Sequence, residues 1–116
     1  MEITTKRFNK DIPLPVYEDW AAGFDFVCRD DSEINAGESK AIPANIALEI
    51  PDWYVLLVVP RSSTASRFNL SMPHSIGIID PFYKGDDNEI MLIFHNFGNK
   101  TTTIKQWDMI VQGILY

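Results

Sequence analysis

The 116-residue chain has one cysteine, Cys28, and fewer bases (Lys+Arg 10) than acids (Asp+Glu 16), for a formal net charge of −6; it has no long apolar run. Each shortage excludes something. A single thiol cannot close an intramolecular disulfide or supply a thiolate metal cluster. Its neighbours Phe26 and Val27 mark Cys28 as a buried strand residue rather than a nucleophile. A negative net charge argues against nonspecific binding along a nucleic acid backbone, which takes a basic face. It leaves room for a nucleotide ligand, which a few local cations and backbone N–H groups can hold. No stretch approaches the roughly 20 apolar residues of a membrane-spanning helix. Residues 1–11 are polar and charged, with no apolar leader core. The expectation is a cytoplasmic protein with neither membrane nor nucleic acid among its partners.

Helix-forming sequence is scarce too. Seven prolines and six glycines punctuate the chain at short intervals. What lies between them is globular in composition, 46% hydrophobic and 22% charged, and of a length that suits one domain over residues 1–116. Residues 45–50 alternate Ile46, Leu48 and Ile50 against Asn45, Ala47 and Glu49, the pattern of a half-buried strand. Residues 54–59 are apolar on both faces, as in the middle of a sheet. Residues 2–8, 24–28, 101–104 and 109–116 read as further strands. Residues 14–17 are extended because Pro13 and Pro15 disfavour helix. Turns are expected at residues 35–38 and 106–108. Residues 76–79 and 90–94 are two apolar runs flanking a polar turn, and they read as a β-hairpin. Only residues 62–68 could hold a helix, a short one capped by Ser62 or Ser63. Many short strands with almost no helix indicate an all-β sandwich or barrel.

Four polar clusters interrupt this background. Asp25 follows the small residues Ala21, Ala22 and Gly23, which let a backbone come close to something, or simply make a tight turn. Pro60-Arg61-Ser62-Ser63 ends the most apolar strand and offers a guanidinium, hydroxyls and N–H groups to an anion; an ordinary helix start with a surface arginine reads the same way. Asp80 ends the run Ile76-Gly77-Ile78-Ile79, where an apolar setting would take its carboxylate out of water. It could equally be the opener of an Asp-Pro turn before Pro81. Gln112 projects from a late apolar strand. His74 and His95 have no second ligand motif beside them, which disfavours zinc. The acidic run 86–89 lacks the ligand spacing of a calcium loop.

In this order and spacing the clusters resemble the motifs of the trimeric dUTP pyrophosphatase (dUTPase) family. Ala22-Gly23-Phe24-Asp25, preceded by Leu14-Pro15-Val16-Tyr17, matches the first motif. Pro60-Arg61-Ser62-Ser63 matches the second. Gly77-Ile78-Ile79-Asp80 with Tyr83 and Gly85 matches the third, and residues 108–112 match the fourth more loosely. The resemblance implies a distorted jelly-roll-like all-β fold and hydrolysis of dUTP to dUMP and pyrophosphate in a homotrimer with sites between subunits. Asp80 would activate the attacking water. Tyr83 would pack on the deoxyribose and exclude a 2′-hydroxyl. His74, Gly77, Ile78 and Met91 would read the uracil edge, largely through backbone. Arg61, Ser62, Ser63 and Gln112 would hold the phosphates. Mg2+ would ride on those phosphates, with Asp25 reaching it through water.

The sequence departs from the family at several points. His74 stands where Asn is common, Phe82 at a commonly acidic position, Trp107 where Gly is usual and Met109 where Arg is usual. Residues 86–88 look like an insertion. The sequence ends at Tyr116, ahead of the strand and glycine-rich fifth motif that family members carry, so weakened catalysis or a non-catalytic nucleotide-binding role is the alternative reading. The related dCTP deaminases need a glutamate where this chain has Ile93, which disfavours deamination.

Overall fold

A computed structural model describes residues 3–17 and 21–116. Eleven strands and one helical turn follow in chain order: β1 (Thr5–Arg7), β2 (Phe24–Phe26), β3 (Ser32–Ile34), β4 (Ser39–Pro43), β5 (Ile46–Leu48), β6 (Leu56–Pro60), α1 (Thr64–Phe68), β7 (Leu70–Ser71), β8 (Gly77–Ile79), β9 (Met91–Asn96), β10 (Thr102–Ile104) and β11 (Val111–Leu115). They pair into four small antiparallel sheets, ordered β1-β5, β10-β3, β2-β11-β6-β8 and β4-β9-β7. The all-β expectation holds; among the described residues the sheets stay open and do not close into a barrel. No described helix is long and apolar enough to cross a membrane.

One buried cluster draws on all four sheets. Ile46 and Leu48 come from β5, Ile34 and Ile104 from the β3–β10 pair, Phe26, Leu56, Val58 and Val111 from the four-stranded sheet, and Ile42, Leu70, Leu92 and Phe94 from the three-stranded one. Each such side chain contributes about 1.5–3 kcal/mol by leaving water, and together they offset the chain entropy lost on folding.

The apolar run at residues 54–59 supplies β6, and its predicted central place is observed: β11 pairs with one edge and β8 with the other. Three expectations are corrected. The runs flanking Asp80 do not form a hairpin. β8 pairs with β6, whereas β9 pairs with β4 and β7. The eleven residues between them carry the chain from one sheet to another, and a run of apolar residues marks a strand without naming its partner. Second, the polar face of residues 45–50 is largely closed: Ala47 of β5 and Asn45 just before it are buried alongside Ile46 and Leu48, and only Glu49 is exposed. Asn45 leaves water because both ends of its amide are paired with Asn9, Oδ1 accepting the Asn9 N–H at 2.6 Å and Nδ2 donating to the Asn9 carbonyl at 3.1 Å. Third, Ser63 occupies the N-cap of α1 without a capping side-chain bond. The hydroxyl that secures this turn is that of Thr64, buried and donating to the Ile110 carbonyl at 2.7 Å.

Candidate active site

Register in the four-stranded sheet brings three of the four polar clusters together. Gln112 on β11 lies opposite Asp25 on β2 and opposite Val59 on β6. Arg61 follows β6 directly, and its Nε stands 3.4 Å from Asp25 Oδ1. Arg61 is held from behind. Its backbone N–H donates to the Ile110 carbonyl at 3.2 Å, and Nη1 donates to the Met109 carbonyl at 3.0 Å. Gln112 Nε2 donates to the Pro60 carbonyl at 3.4 Å. A cleft of about 360 Å³ results, lined by Gly23, Asp25, Arg61, Ser62, Gln112 and neighbours. The Asp25–Arg61 pair is half exposed on both sides, so it adds well under 1 kcal/mol to stability. Its value is chemical: a fixed cation with an acid beside it, facing open space. Ser63 is exposed one residue further on.

Two glycines make this cleft geometrically possible. A Cβ on Gly23 would strike the Gly113 carbonyl oxygen, and one on Gly113 would come within 2.7 Å of the Phe24 ring. β2 and β11 can therefore approach only with hydrogen at both positions. Gly23 belongs to the first cluster. Gly113 drew no attention in the sequence, where its place one residue after Gln112 was the available signal.

The fourth cluster lies elsewhere. Ile79 pairs with Leu56 at the beginning of β6, whereas Arg61 follows the end of β6. At about 3.3 Å per residue, Asp80 and Arg61 of one chain stand roughly 20 Å apart. Asp80 is exposed, as are Ile78 (66%) and Phe82 (88%). The apolar strand therefore does not take its carboxylate out of water, because β8 is an edge strand with one side open. Locally Asp80 opens a turn: Oδ1 accepts the Phe82 N–H at 2.9 Å, and its carbonyl accepts the Tyr83 N–H at 3.3 Å. Tyr83 lines the same cleft as Asp80, and its hydroxyl donates to the Glu89 carbonyl at 2.8 Å. A neighbouring cleft of about 300 Å³ gathers His74, Gly77, Ile78, Met91 and Ile93. A Cβ on Gly77 would lie 3.1 Å from Val58 Cβ, so the glycine lets β8 sit close on β6. Ile93 presents an apolar side chain there, which offers nothing for handling protons at a base.

Two other side chains explain themselves at this level. Trp107 adopts φ 78°, a left-handed conformation that favours glycine, at the position where the family motif has Gly. Cys28 is buried, and burial, with a smaller effect from nearby Asp108, pushes its thiol from the ordinary 9.0 up to about 12. It is structural.

The dUTPase family model matches residues 9–116. A deoxyuridine 5'-triphosphate nucleotidohydrolase of Caldanaerobacter subterraneus subsp. tengcongensis is 37% identical over 99% of this chain and 78% of its own length. The enzyme of that name from Nautilia profundicola is 32% identical over 99% of the chain and 80% of its own length. The crystal structure of a dUTPase from Streptococcus mutans superposes with a TM-score of 0.87 at 25% identity, covering 97% of this chain and 93% of that one. A dUTPase from phage phi11 of S. aureus, 18% identical, shares the fold with a TM-score of 0.88 over 100% of this chain and 90% of that one. With the polar clusters standing in the family's order along a chain of the family's fold, the protein belongs to the dUTPase family.

Proposed function

We propose that this protein hydrolyses dUTP to dUMP and pyrophosphate at sites completed between copies of the chain, in a homotrimer. The observation that carries the shared site is the separation along β6. Asp80 and the Asp25–Arg61–Gln112 cleft of one chain are too far apart to meet at a single α-phosphate. A second chain's Asp80 loop must face the first chain's cleft. Such a head-to-tail contact repeats until a ring closes, and the family resemblance sets the number at three. Relatives named for dUTP hydrolysis along 99% of the chain support the reaction.

The residues divide the work. Asp80, exposed just past the end of β8, takes the proton from the attacking water. Arg61, Ser62, Ser63 and Gln112 hold the phosphate chain, where charge develops and fixed donors count most. Tyr83 packs on the deoxyribose. His74, Gly77, Ile78 and Met91 form the base cleft, whose exposed apolar side chains suit a flat ring. The donor set fits Mg2+ as a passenger on the triphosphate: among the described residues no group of three or more His, Cys, Asp or Glu comes together. Asp25 would hold it through water, and the bound ion would neutralise phosphate charge.

Assay of the purified protein with Mg2+ and a nucleotide panel tests this. Pyrophosphate should appear from dUTP. Asp80→Asn should lower turnover by about 100-fold or more while dUTP binding stays within a few-fold. Tight dUTP binding without turnover would establish a non-catalytic protein, and uracil nucleotide from dCTP a deaminase.

A further inference from the structure

The Tyr83 hydroxyl ends on a main-chain carbonyl, that of Glu89, and the Glu89 side chain is tied down at both oxygens. Oε1 accepts Arg29 Nη1 at 2.7 Å, and Oε2 accepts the Asn45 N–H at 2.8 Å. The Glu89 carboxyl is largely buried, at 11% exposure, against 30% for Arg29. Neither partner is free to drift. The Arg29 N–H donates to the Pro43 carbonyl at 3.0 Å, and Arg29 Nε to Asp30 at 2.9 Å. Asn45 is buried with φ 74°, locked to Asn9. The adjoining Ile90 is fixed both ways to β5 and its approach, its N–H donating to the Ile46 carbonyl at 2.8 Å and its carbonyl accepting the Ala44 N–H at 2.9 Å. The eleven residues between β8 and β9 are otherwise mostly exposed. The rest of the molecule thus holds this loop at Glu89 and Ile90, with Lys6 Nζ donating to the Asp86 carbonyl at 3.2 Å nearer its tip, and the Tyr83 phenol is bonded to the Glu89 carbonyl.

We infer that Glu89 is a positioning residue: the Arg29–Glu89–Asn45 anchor sets the place of the Glu89 carbonyl, and through it the orientation of the Tyr83 ring that discriminates deoxyribose from ribose. This deepens the proposed function and rests on Tyr83 meeting the sugar. A partly buried, charge-assisted hydrogen bond is directional, so it fixes a position that an apolar contact would leave sliding. The contact from Glu89 toward the sugar passes through the Tyr83 hydroxyl, and that makes it separable from general stability.

The test is the ratio of kcat/KM for dUTP to that for UTP, measured on the full chain. Glu89→Ala should lower this ratio about tenfold, with the dUTP KM rising more than kcat falls. Glu89→Gln, which can still accept the Asn45 N–H, and Arg29→Lys, which keeps the charge, should fall between Ala and the unmodified protein; they also serve if Glu89→Ala does not fold. Tyr83→Phe should lower the ratio to a similar extent. Because both substitutions break one chain of contacts, the double variant Tyr83→Phe/Glu89→Ala should discriminate no worse than Tyr83→Phe alone. A melting temperature shift would accompany a merely structural role; loss of discrimination and its non-additivity would not. If Tyr83→Phe loses discrimination while the Glu89 variants stay within twofold of the unmodified protein, or the two losses multiply, the positioning role is overturned and the reading of Tyr83 stands. If the unmodified protein does not prefer dUTP, or Tyr83→Phe leaves the preference intact, the reading of Tyr83 falls and the inference with it.

Discussion

Cys28 shows how burial writes a pH dependence into the fold. Its thiol is neutral up to about pH 12 in the native state, chiefly because burial disfavours the thiolate and secondarily because Asp108 repels it. In the unfolded chain it ionises near its ordinary 9.0. Below that pH both states hold the proton and Cys28 leaves stability unchanged with pH. Above it the unfolded state alone gives the proton up, so stability falls as pH rises from 9 toward 12, by about 1.4 kcal/mol per pH unit. Denaturant titrations between pH 8 and pH 11 should show this decline, and Cys28→Ala should flatten it. The same thiol should resist alkylating reagents until the protein is unfolded. Its burial was announced by its neighbours Phe26 and Val27, although Cys28 itself lies just past the end of β2 rather than in a strand. The exposure of Asp80 was not announced. Ile78 and Ile79 read as the lining of a core, but the sequence does not say that β8 is an edge strand with Ile78 turned outward.

At the scale of elements, the join between β6, α1 and β11 builds the Asp25–Arg61–Gln112 cleft, and the Thr64 hydroxyl ties α1 to the approach of β11. Thr64 donates to the Ile110 carbonyl, which also accepts the Arg61 N–H, so the carbonyl keeps a partner if the hydroxyl is removed. Thr64→Val should therefore cost about 1 kcal/mol rather than the larger penalty of an orphaned buried acceptor. It should also raise KM for the nucleotide, because Arg61 is seated on the same segment. Thr64→Ser, which keeps the hydroxyl, should restore most of both; thermal melts and steady-state kinetics read the two effects. Strand existence along the chain was legible from apolar runs and turn residues, and β6 even from its two-sided apolarity. Partnership was not. The supposed hairpin around Asp80 failed because a connection of eleven residues with Asp80, Pro81 and Gly85 gives no register. The two faces of β5 misled because Asn45 counts as polar in a pattern while its amide is satisfied inside by Asn9.

At the scale of the whole molecule, the four clusters were all visible in the sequence, yet their grouping was not. Asp25, Arg61 and Gln112 gather at one end of β6, and Asp80 and Tyr83 stand at the other. If complete sites form between chains, two inactive variants should complement each other. Chains carrying Asp80→Asn mixed with chains carrying Arg61→Ala, dissociated and reassembled at equal amounts, should recover about a quarter of the unmodified activity, since random assembly places an intact Asp80 opposite an intact Arg61 at that frequency. Each variant alone should stay inactive, and no recovery on mixing would mean that each chain works by itself. The five residues of β6 also have a consequence for dose. If sites are shared between chains as proposed, a strand that holds a chain's two half-sites apart makes every chain a donor to one neighbour and a recipient from another. Below the concentration at which copies assemble, halving the supply of the protein would then remove more than half of its working sites. Expression level would act on nucleotide hydrolysis with a steepness that no single-chain enzyme of the same turnover would have.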